Sequence, residues 1–87
     1  YIISLAIEGK QLTSVELSNK IDKTFITNST ITFIIGGSNG IRSDILEKSN
    51  MLLSFSKLTY PHGLFRLILL EQIYRSFKII NNESYHK

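Results

Sequence analysis

The sequence contains no cysteine, so neither disulfide bonds nor thiolate metal ligands can stabilise the chain. Its longest apolar run is LILL, residues 67–70, whereas a bilayer-spanning helix needs about 20 apolar residues. The N-terminal residues lack the basic start and small-residue cleavage site of a signal peptide. These absences predict a soluble, cytoplasmic protein that does not contact a membrane.

The chain has 87 residues, which predicts a single domain over residues 1–87. A chain this short buries a modest share of its surface, so it needs dense packing or a partner subunit. Ten Lys and Arg residues against seven Asp and Glu residues give a net charge of +3. This excess is compatible with an RNA partner but does not by itself indicate one. The basic residues are scattered along the sequence, which weighs against a simple RNA-binding module.

Hydrophobic periodicity predicts strands and helices that alternate in the order β-α-β-α-β-α. Thr13 and Glu16 have the spacing of a capping box, and Ser43 is the expected N-cap of the second helix. The alternation predicts an α/β domain with a largely parallel sheet, whose ligand site lies beyond the carboxyl ends of the strands. The predicted strands are residues 1–7, 30–35 and 51–56, the helices are residues 14–25, 43–50 and 64–80, and the site loops are residues 8–13, 36–43 and 56–63.

The last predicted helix is more apolar than a helix with one buried face requires. Such a helix must be covered on more than one side, and a short chain has few other residues that could cover it. The pattern therefore predicts a homodimer built on this helix. Its apolar residues are Leu64, Phe65, Leu67, Ile68, Leu69, Leu70, Ile73, Tyr74, Phe77, Ile79 and Ile80.

A glycine cluster follows the second predicted strand, in ITFIIGGSNGI at residues 31–41. It is not a phosphate-binding loop, because no Lys-Ser or Lys-Thr follows Gly40. It is not a dinucleotide fingerprint either, because Ile35 stands where the first glycine would be needed. Two interpretations stay open: a left-handed turn at Gly37 or Gly40, or a loop whose backbone faces a ligand.

The loop SFSKLTYPHG, residues 54–63, contains polar side chains, the only proline and His62. It is either a solvated loop that caps the next helix or part of a site. A hydrolase triad is not predicted, because the chain has no Cys, no G-x-S-x-G motif and no obvious acid to orient a histidine. A metal site is not predicted either, because the two histidines are far apart and lack neighbouring carboxylate pairs.

Four separated motifs, FIIGGSNGI, SFSKLTYPH, EQIYRSFKI and the final YHK, together with SLAIEGK, resemble the RlmH family of SPOUT-class (α/β-knot) methyltransferases. This family methylates N3 of a pseudouridine in large-subunit ribosomal RNA with S-adenosyl-L-methionine. The resemblance covers essentially the whole chain and implies an α/β three-layer sandwich with a mostly parallel sheet and a C-terminal trefoil knot. Family members are nearly twice as long, so the family's N-terminal strands are missing here.

The resemblance implies a composite site built from both subunits of a homodimer. At Gly36, the missing Cβ would leave its space to the cofactor. Arg66 and Arg75 would contact RNA, although either could instead pair with Glu71 on the helix surface. The implied cofactor-binding residues are Leu5, Gly36, Phe55, Ser56, Lys57, Leu58, Thr59 and Tyr60; the implied catalytic residues are His62, Tyr85 and His86; and Lys87 completes the implied RNA contacts. The alternative is a truncated, inactive SPOUT fragment that folds as a dimer and retains cofactor binding.

Overall fold

The structure is a computed structural model that describes residues 1–36, 40–56 and 58–83, with the side chain of His62 excepted. The predicted order of strands and helices is confirmed. In chain order the elements are β1 (Ile2–Gln11), α1 (Ser14–Thr27), β2 (Thr32–Ile35), α2 (Ser43–Lys48), β3 (Met51–Ser54) and α3 (His62–Ile80).

The three strands form one sheet in the order β2-β1-β3, and both pairings are parallel. Leu5 pairs with Ile35 on one side and with Leu53 on the other. The predicted parallel α/β sheet is therefore confirmed, and the carboxyl ends of the three strands meet at one edge.

Strand β1 is longer than predicted, and the prediction of a loop over residues 8–13 is wrong for its first part. After an irregular segment at residues 6–9, Lys10 and Gln11 pair again with β3. Gly9 permits this return, because a Cβ there would lie 2.7 Å from the carbonyl carbon of Leu52 and 2.8 Å from the nitrogen of Leu53. Pairing with a strand distant in sequence, which local periodicity does not report, extends β1 to Gln11.

The predicted capping box at the start of α1 is confirmed. The Glu16 amide donates to Thr13 Oγ1 over 3.1 Å, and the Thr13 amide donates to Glu16 Oε1 over 2.8 Å. The Thr13 amide, and after it the Thr13 side chain, favour the Glu16 carboxylate by hydrogen bonding and hold the pKa of Glu16 below its usual value, and the charge of Lys10 acts in the same direction.

The prediction of Ser43 as an N-cap is wrong. Arg42 is the N-cap residue of α2, and Ser43 is already the first helical residue. An ion pair between Arg42 and Asp44, 2.7 Å from Nη2 to Oδ2, holds this start of the helix without a side-chain cap. Helix α3 begins two residues earlier than predicted, because Pro61 is the N-cap and its carbonyl accepts from the Phe65 amide over 2.9 Å.

The core lies between the sheet and helices α1 and α3. Ser14 Oγ donates to Gln72 Oε1 over 2.8 Å, and the rings of Phe25 and Phe77 lie 6.4 Å apart, so the two helices are joined along their contact. Within the described ranges, every buried side-chain nitrogen and oxygen has a hydrogen-bond partner. The buried apolar residues are Ile3, Leu5, Leu17, Ile21, Leu53 and Leu69.

Helix α3 keeps a stripe of large apolar residues in contact with solvent. Leu67 and Leu70 are each 63% exposed, and Tyr74 and Phe77 continue the stripe at the same helical spacing. The apolar surface of α3 is therefore wider than the described residues cover. No helix in the described part of the chain, α3 included, has the length and hydropathy needed to cross a membrane.

The capping box gives a direct stability test. Thr13→Ala should lower the free energy of unfolding by about 1 kcal/mol, because the Glu16 amide loses its side-chain acceptor. Urea denaturation at neutral pH measures this loss. Thr30→Ala, at an exposed turn position, is the matched control and should change stability by less than about 0.5 kcal/mol. Equal effects of the two substitutions would show that the cap is not stabilising.

Candidate functional site

A cleft of about 790 Å³ opens where the carboxyl ends of the three strands meet, and we name it the strand-end cleft. Its volume is in the range of small-molecule sites in proteins, about 300–1,000 Å³. Its walls are mostly apolar, and its polar side chains come from Glu8, Thr59 and Tyr60. The main apolar lining residues are Leu5, Ile7, Ile35, Ile41, Leu46 and Phe65.

Four of the residues predicted to bind a cofactor line the strand-end cleft together: Leu5, Gly36, Thr59 and Tyr60. Three others, Phe55, Ser56 and Leu58, line a cavity of about 20 Å³ that shares Leu5 and Tyr60 with the cleft. Lys57 lies outside the described residues. The described members of the set therefore gather around one edge of the sheet, although they come from three separate segments.

Hydrogen bonds and ring contacts hold the described part of the loop after β3. Ser54 Oγ donates to the Ser56 carbonyl over 3.1 Å, and the Leu58 amide donates to Ser56 Oγ over 2.9 Å. The ring of Phe65 lies 5.5 Å from that of Phe55 and 6.0 Å from that of Tyr60. The two ring contacts hold the described part of the loop against α3, beside the cleft that Thr59 and Tyr60 line.

Gly36 lies against Gly40 and Ile41, the residues at which the described chain resumes after the glycine segment. A Cβ at Gly36 would lie 2.6 Å from the carbonyl carbon of Gly40 and 2.7 Å from the nitrogen and Cγ1 of Ile41. The returning chain therefore occupies the space that we expected a cofactor to fill. The left-handed turn is found at Gly40, where φ is 79°, while Gly37 lies outside the described residues. Gly36 lines the cleft, but the atoms that exclude a Cβ at this position belong to Gly40 and Ile41.

The predicted catalytic residues fall largely beyond what the structure describes. His62 is the first residue of α3, which begins beside Tyr60 and Pro61 of the strand-end cleft, but its side chain is not described. Tyr85 and His86 lie outside the described residues, as does Lys87, which was predicted to contact RNA. Their roles stay predictions.

The two arginines predicted to contact RNA differ in their surroundings. Arg75 Nη2 lies 2.7 Å from Glu71 Oε1, so the alternative interpretation of a helical i,i+4 pair is confirmed for Arg75. Arg66 is exposed on α3 and does not line the strand-end cleft. To contact an RNA phosphate, Arg75 would have to bind the phosphate and Glu71 together or leave Glu71.

Glu8 lies in the predicted site loop of residues 8–13 and lines the strand-end cleft, although no role was predicted for it. It provides the one carboxylate among the described lining residues and lies in the irregular segment of β1. Its position just after the first predicted strand, at the carboxyl edge of the sheet, could have indicated that Glu8 lies at the ligand site. A carboxylate beside apolar walls favours a ligand that carries positive charge. The described ranges contain no cluster of three or more His, Asp or Glu side chains suited to a metal ion.

The comparisons with known proteins agree with each other. Residues 1–86 match the family described as "Predicted SPOUT methyltransferase". The whole chain aligns with ribosomal RNA large subunit methyltransferase H of Finegoldia magna at 58% identity and of Acholeplasma laidlawii at 57%. It also aligns with the putative methyltransferase of that name from Methanococcus vannielii at 56%. These alignments cover 55%, 60% and 55% of the relatives, so the chain spans a little over half of their length.

Substitution at Gly36 tests the closed loop. Gly36→Ala should lower the free energy of unfolding by about 1–3 kcal/mol, because the added carbon overlaps backbone atoms of Gly40 and Ile41. Gly63→Ala, on α3, is the control, since a Cβ there meets nothing within 4 Å and alanine favours a helix. Thermal unfolding of both variants checks this. If Gly36→Ala unfolds at the temperature of the unsubstituted protein, the loop does not close as described.

Proposed function

Because the chain belongs to the SPOUT methyltransferase family, we propose that it methylates N3 of a pseudouridine in large-subunit ribosomal RNA, with S-adenosyl-L-methionine as the methyl donor. The names of the relatives support a ribosomal RNA substrate. The pseudouridine, its N3 atom and the donor come from the resemblance to the RlmH family. The observation that carries the proposal is the strand-end cleft, which gathers Leu5, Gly36, Thr59 and Tyr60. A ribosomal RNA substrate also implies action in the cytoplasm.

The described residues fit this donor, which supplies an activated methyl group when bound. Leu5, Ile35 and Phe65 offer apolar walls for an adenine ring and an aliphatic chain. The carboxylate of Glu8 suits the positive sulfonium and ammonium groups. A phosphate-binding motif is unnecessary, because the donor has no phosphate.

The chain's own task in the proposed reaction is to bind and align. The loop of residues 55–60 would hold the adenine and methionine parts through its backbone, and Phe65 supports that loop through two ring contacts. Correct alignment of a ring nitrogen with the methyl carbon supplies most of what such a transfer needs. The N3 proton would leave to His62 or His86, because imidazole has an ordinary pKa near neutrality. Tyr85 would stack on the base, and Arg66 and Lys87 would contact phosphates.

The remaining features of the family also belong to the proposal. We expect the C-terminal trefoil knot and the three-layer sandwich of SPOUT proteins to form around the strand-end cleft. In the longer relatives, we expect additional strands to extend the sheet that β2, β1 and β3 form here.

Cofactor binding and methyl transfer test the function in two steps. Isothermal titration should show that the chain binds S-adenosyl-L-methionine. Radiolabelled methyl groups should then appear on a large-subunit ribosomal RNA fragment that contains pseudouridine, and not on the same fragment with uridine at that position. Binding without transfer would support the alternative of an inactive fragment that retains cofactor binding. Absence of binding would contradict the proposed function.

The exposed stripe on α3 supports the proposed homodimer. Leu67, Leu70, Tyr74 and Phe77 alternate at intervals of three and four residues, which is the spacing of a coiled-coil seam. A second copy of the same helix would cover this stripe by a symmetric contact, in which each subunit presents the same surface.

Leu70→Glu should convert the dimer into a monomer, because it introduces a charge in the middle of the stripe. Sedimentation velocity at micromolar concentration measures the change. Ile26→Glu is the matched control: Ile26 is 79% exposed on α1, outside the stripe, so its substitution should leave the dimer intact. A stable, folded monomer of the unsubstituted chain would contradict the dimer.

A further inference from the structure

A second cleft, of about 370 Å³, lies between α1 and the start of β3, and we name it the lysine cleft. Its lining includes Lys10, Lys20 and Lys23 together with the aromatic ring of Tyr1 and the side-chain amide of Asn50. None of its lining residues lines the strand-end cleft. We propose that the lysine cleft binds the phosphates of an RNA strand, a proposal that rests on the proposed function because it gives the RNA substrate a second contact surface.

The fold brings together lysines that look scattered in the sequence. Lys20 and Lys23 are three residues apart on α1, so they project from neighbouring positions of one helical face. Lys10 comes from β1, and its pairing with Leu53 brings it to β3. This concentration of charge depends on the return of β1 to β3 after Gly9, which sequence spacing does not show.

The three lysines are not neutralised by ion pairs. Elsewhere in the described ranges, Arg42, Arg75 and Lys78 each lie within 4 Å of a carboxylate. Lys10, Lys20 and Lys23 form no such pair with any described residue. The carboxylate in the cleft lining belongs to Glu16 and already accepts the Thr13 amide in the capping box. Three positive charges against one negative charge leave the cleft suited to a polyanion.

The other lining groups favour RNA over an acidic protein surface. Lys20 Nζ lies over one face of the Tyr1 ring, 5.0 Å from its centre, so an aromatic ring stands among the lysine charges. Unpaired bases stack on such rings, while lysines contact the adjoining phosphates. Asn50 Oδ1 accepts the Ile2 amide over 2.7 Å, which leaves its NH₂ group to donate to a phosphate or a ribose. An acidic peptide would use the lysines but would gain little from the ring.

The salt dependence of RNA binding tests this surface. The probe is a fluorescein-labelled, single-stranded fragment of large-subunit ribosomal RNA, and its affinity is measured by anisotropy over a series of NaCl concentrations. Each phosphate contact contributes about 0.7 to the slope of log K against log salt for single strands. Lys10→Gln, Lys20→Gln and Lys23→Gln should each reduce the slope by about 0.7, and the triple variant should reduce it by about 2.

Lys48→Gln is the matched control. Lys48 is exposed on α2, lines neither cleft and, in the described part of the chain, forms no ion pair. Its substitution changes the net charge by the same amount as each single substitution in the lysine cleft. It should leave the slope within about 0.2 of the parent value. If the lysine-cleft variants behave like Lys48→Gln, the lysine cleft is not the contact surface and the proposal is overturned.

Two further measurements separate the possible failures. Calorimetry with S-adenosyl-L-methionine should give the same dissociation constant for the parent and for the lysine variants. If the parent binds the cofactor but the lysine variants bind RNA as the parent does, the lysine-cleft proposal alone is overturned. If the parent binds no cofactor, the proposed function is overturned.

Polyglutamate of matched charge should displace the RNA at least tenfold less effectively than unlabelled RNA does. Equal displacement would assign the cleft to an acidic protein and overturn the RNA proposal.

Discussion

The double pairing of the central strand is the constraint on which the rest of the structure depends. Leu5 is held between Ile35 and Leu53, and it is almost fully buried among the core residues. Since all three strands are parallel, this one register brings their carboxyl ends to the same edge. The strand-end cleft is the space beyond that edge, so the same pairing defines both the core and the site.

Local signals predicted the features that depend on neighbours in sequence. The capping box of Thr13 and Glu16 and the order of strands and helices follow from spacing and periodicity. One error occurs where a distant contact decides, since β1 continues to Gln11 because it pairs again with β3. The other is local: Arg42 rather than Ser43 is the N-cap, because the Arg42 carbonyl already accepts the Ile45 and Leu46 amides. The predicted cofactor-binding residues came from the family resemblance, since periodicity alone selected only the loops. Glu8 lay within a predicted site loop, but neither a motif nor the family resemblance singled it out.

The two clefts differ in charge, which separates their possible ligands. The strand-end cleft has mainly apolar walls and the carboxylate of Glu8, so it suits a small cationic ligand. The lysine cleft has Lys10, Lys20 and Lys23 and suits a polyanion. A net charge of +3 conceals this arrangement, because the total does not show where the charges lie. A methyltransferase acting on RNA needs both kinds of surface, one for the donor and one for the substrate.

Gly9 alone separates Glu8 of the strand-end cleft from Lys10 of the lysine cleft. Its backbone lies so close to β3 that no room remains for even one added carbon. Any larger residue at position 9 would have to push β1 away from β3. Glu8 in one cleft and Lys10 in the other therefore depend on the same close approach of two strands, and a single substitution at Gly9 would displace residues of both clefts.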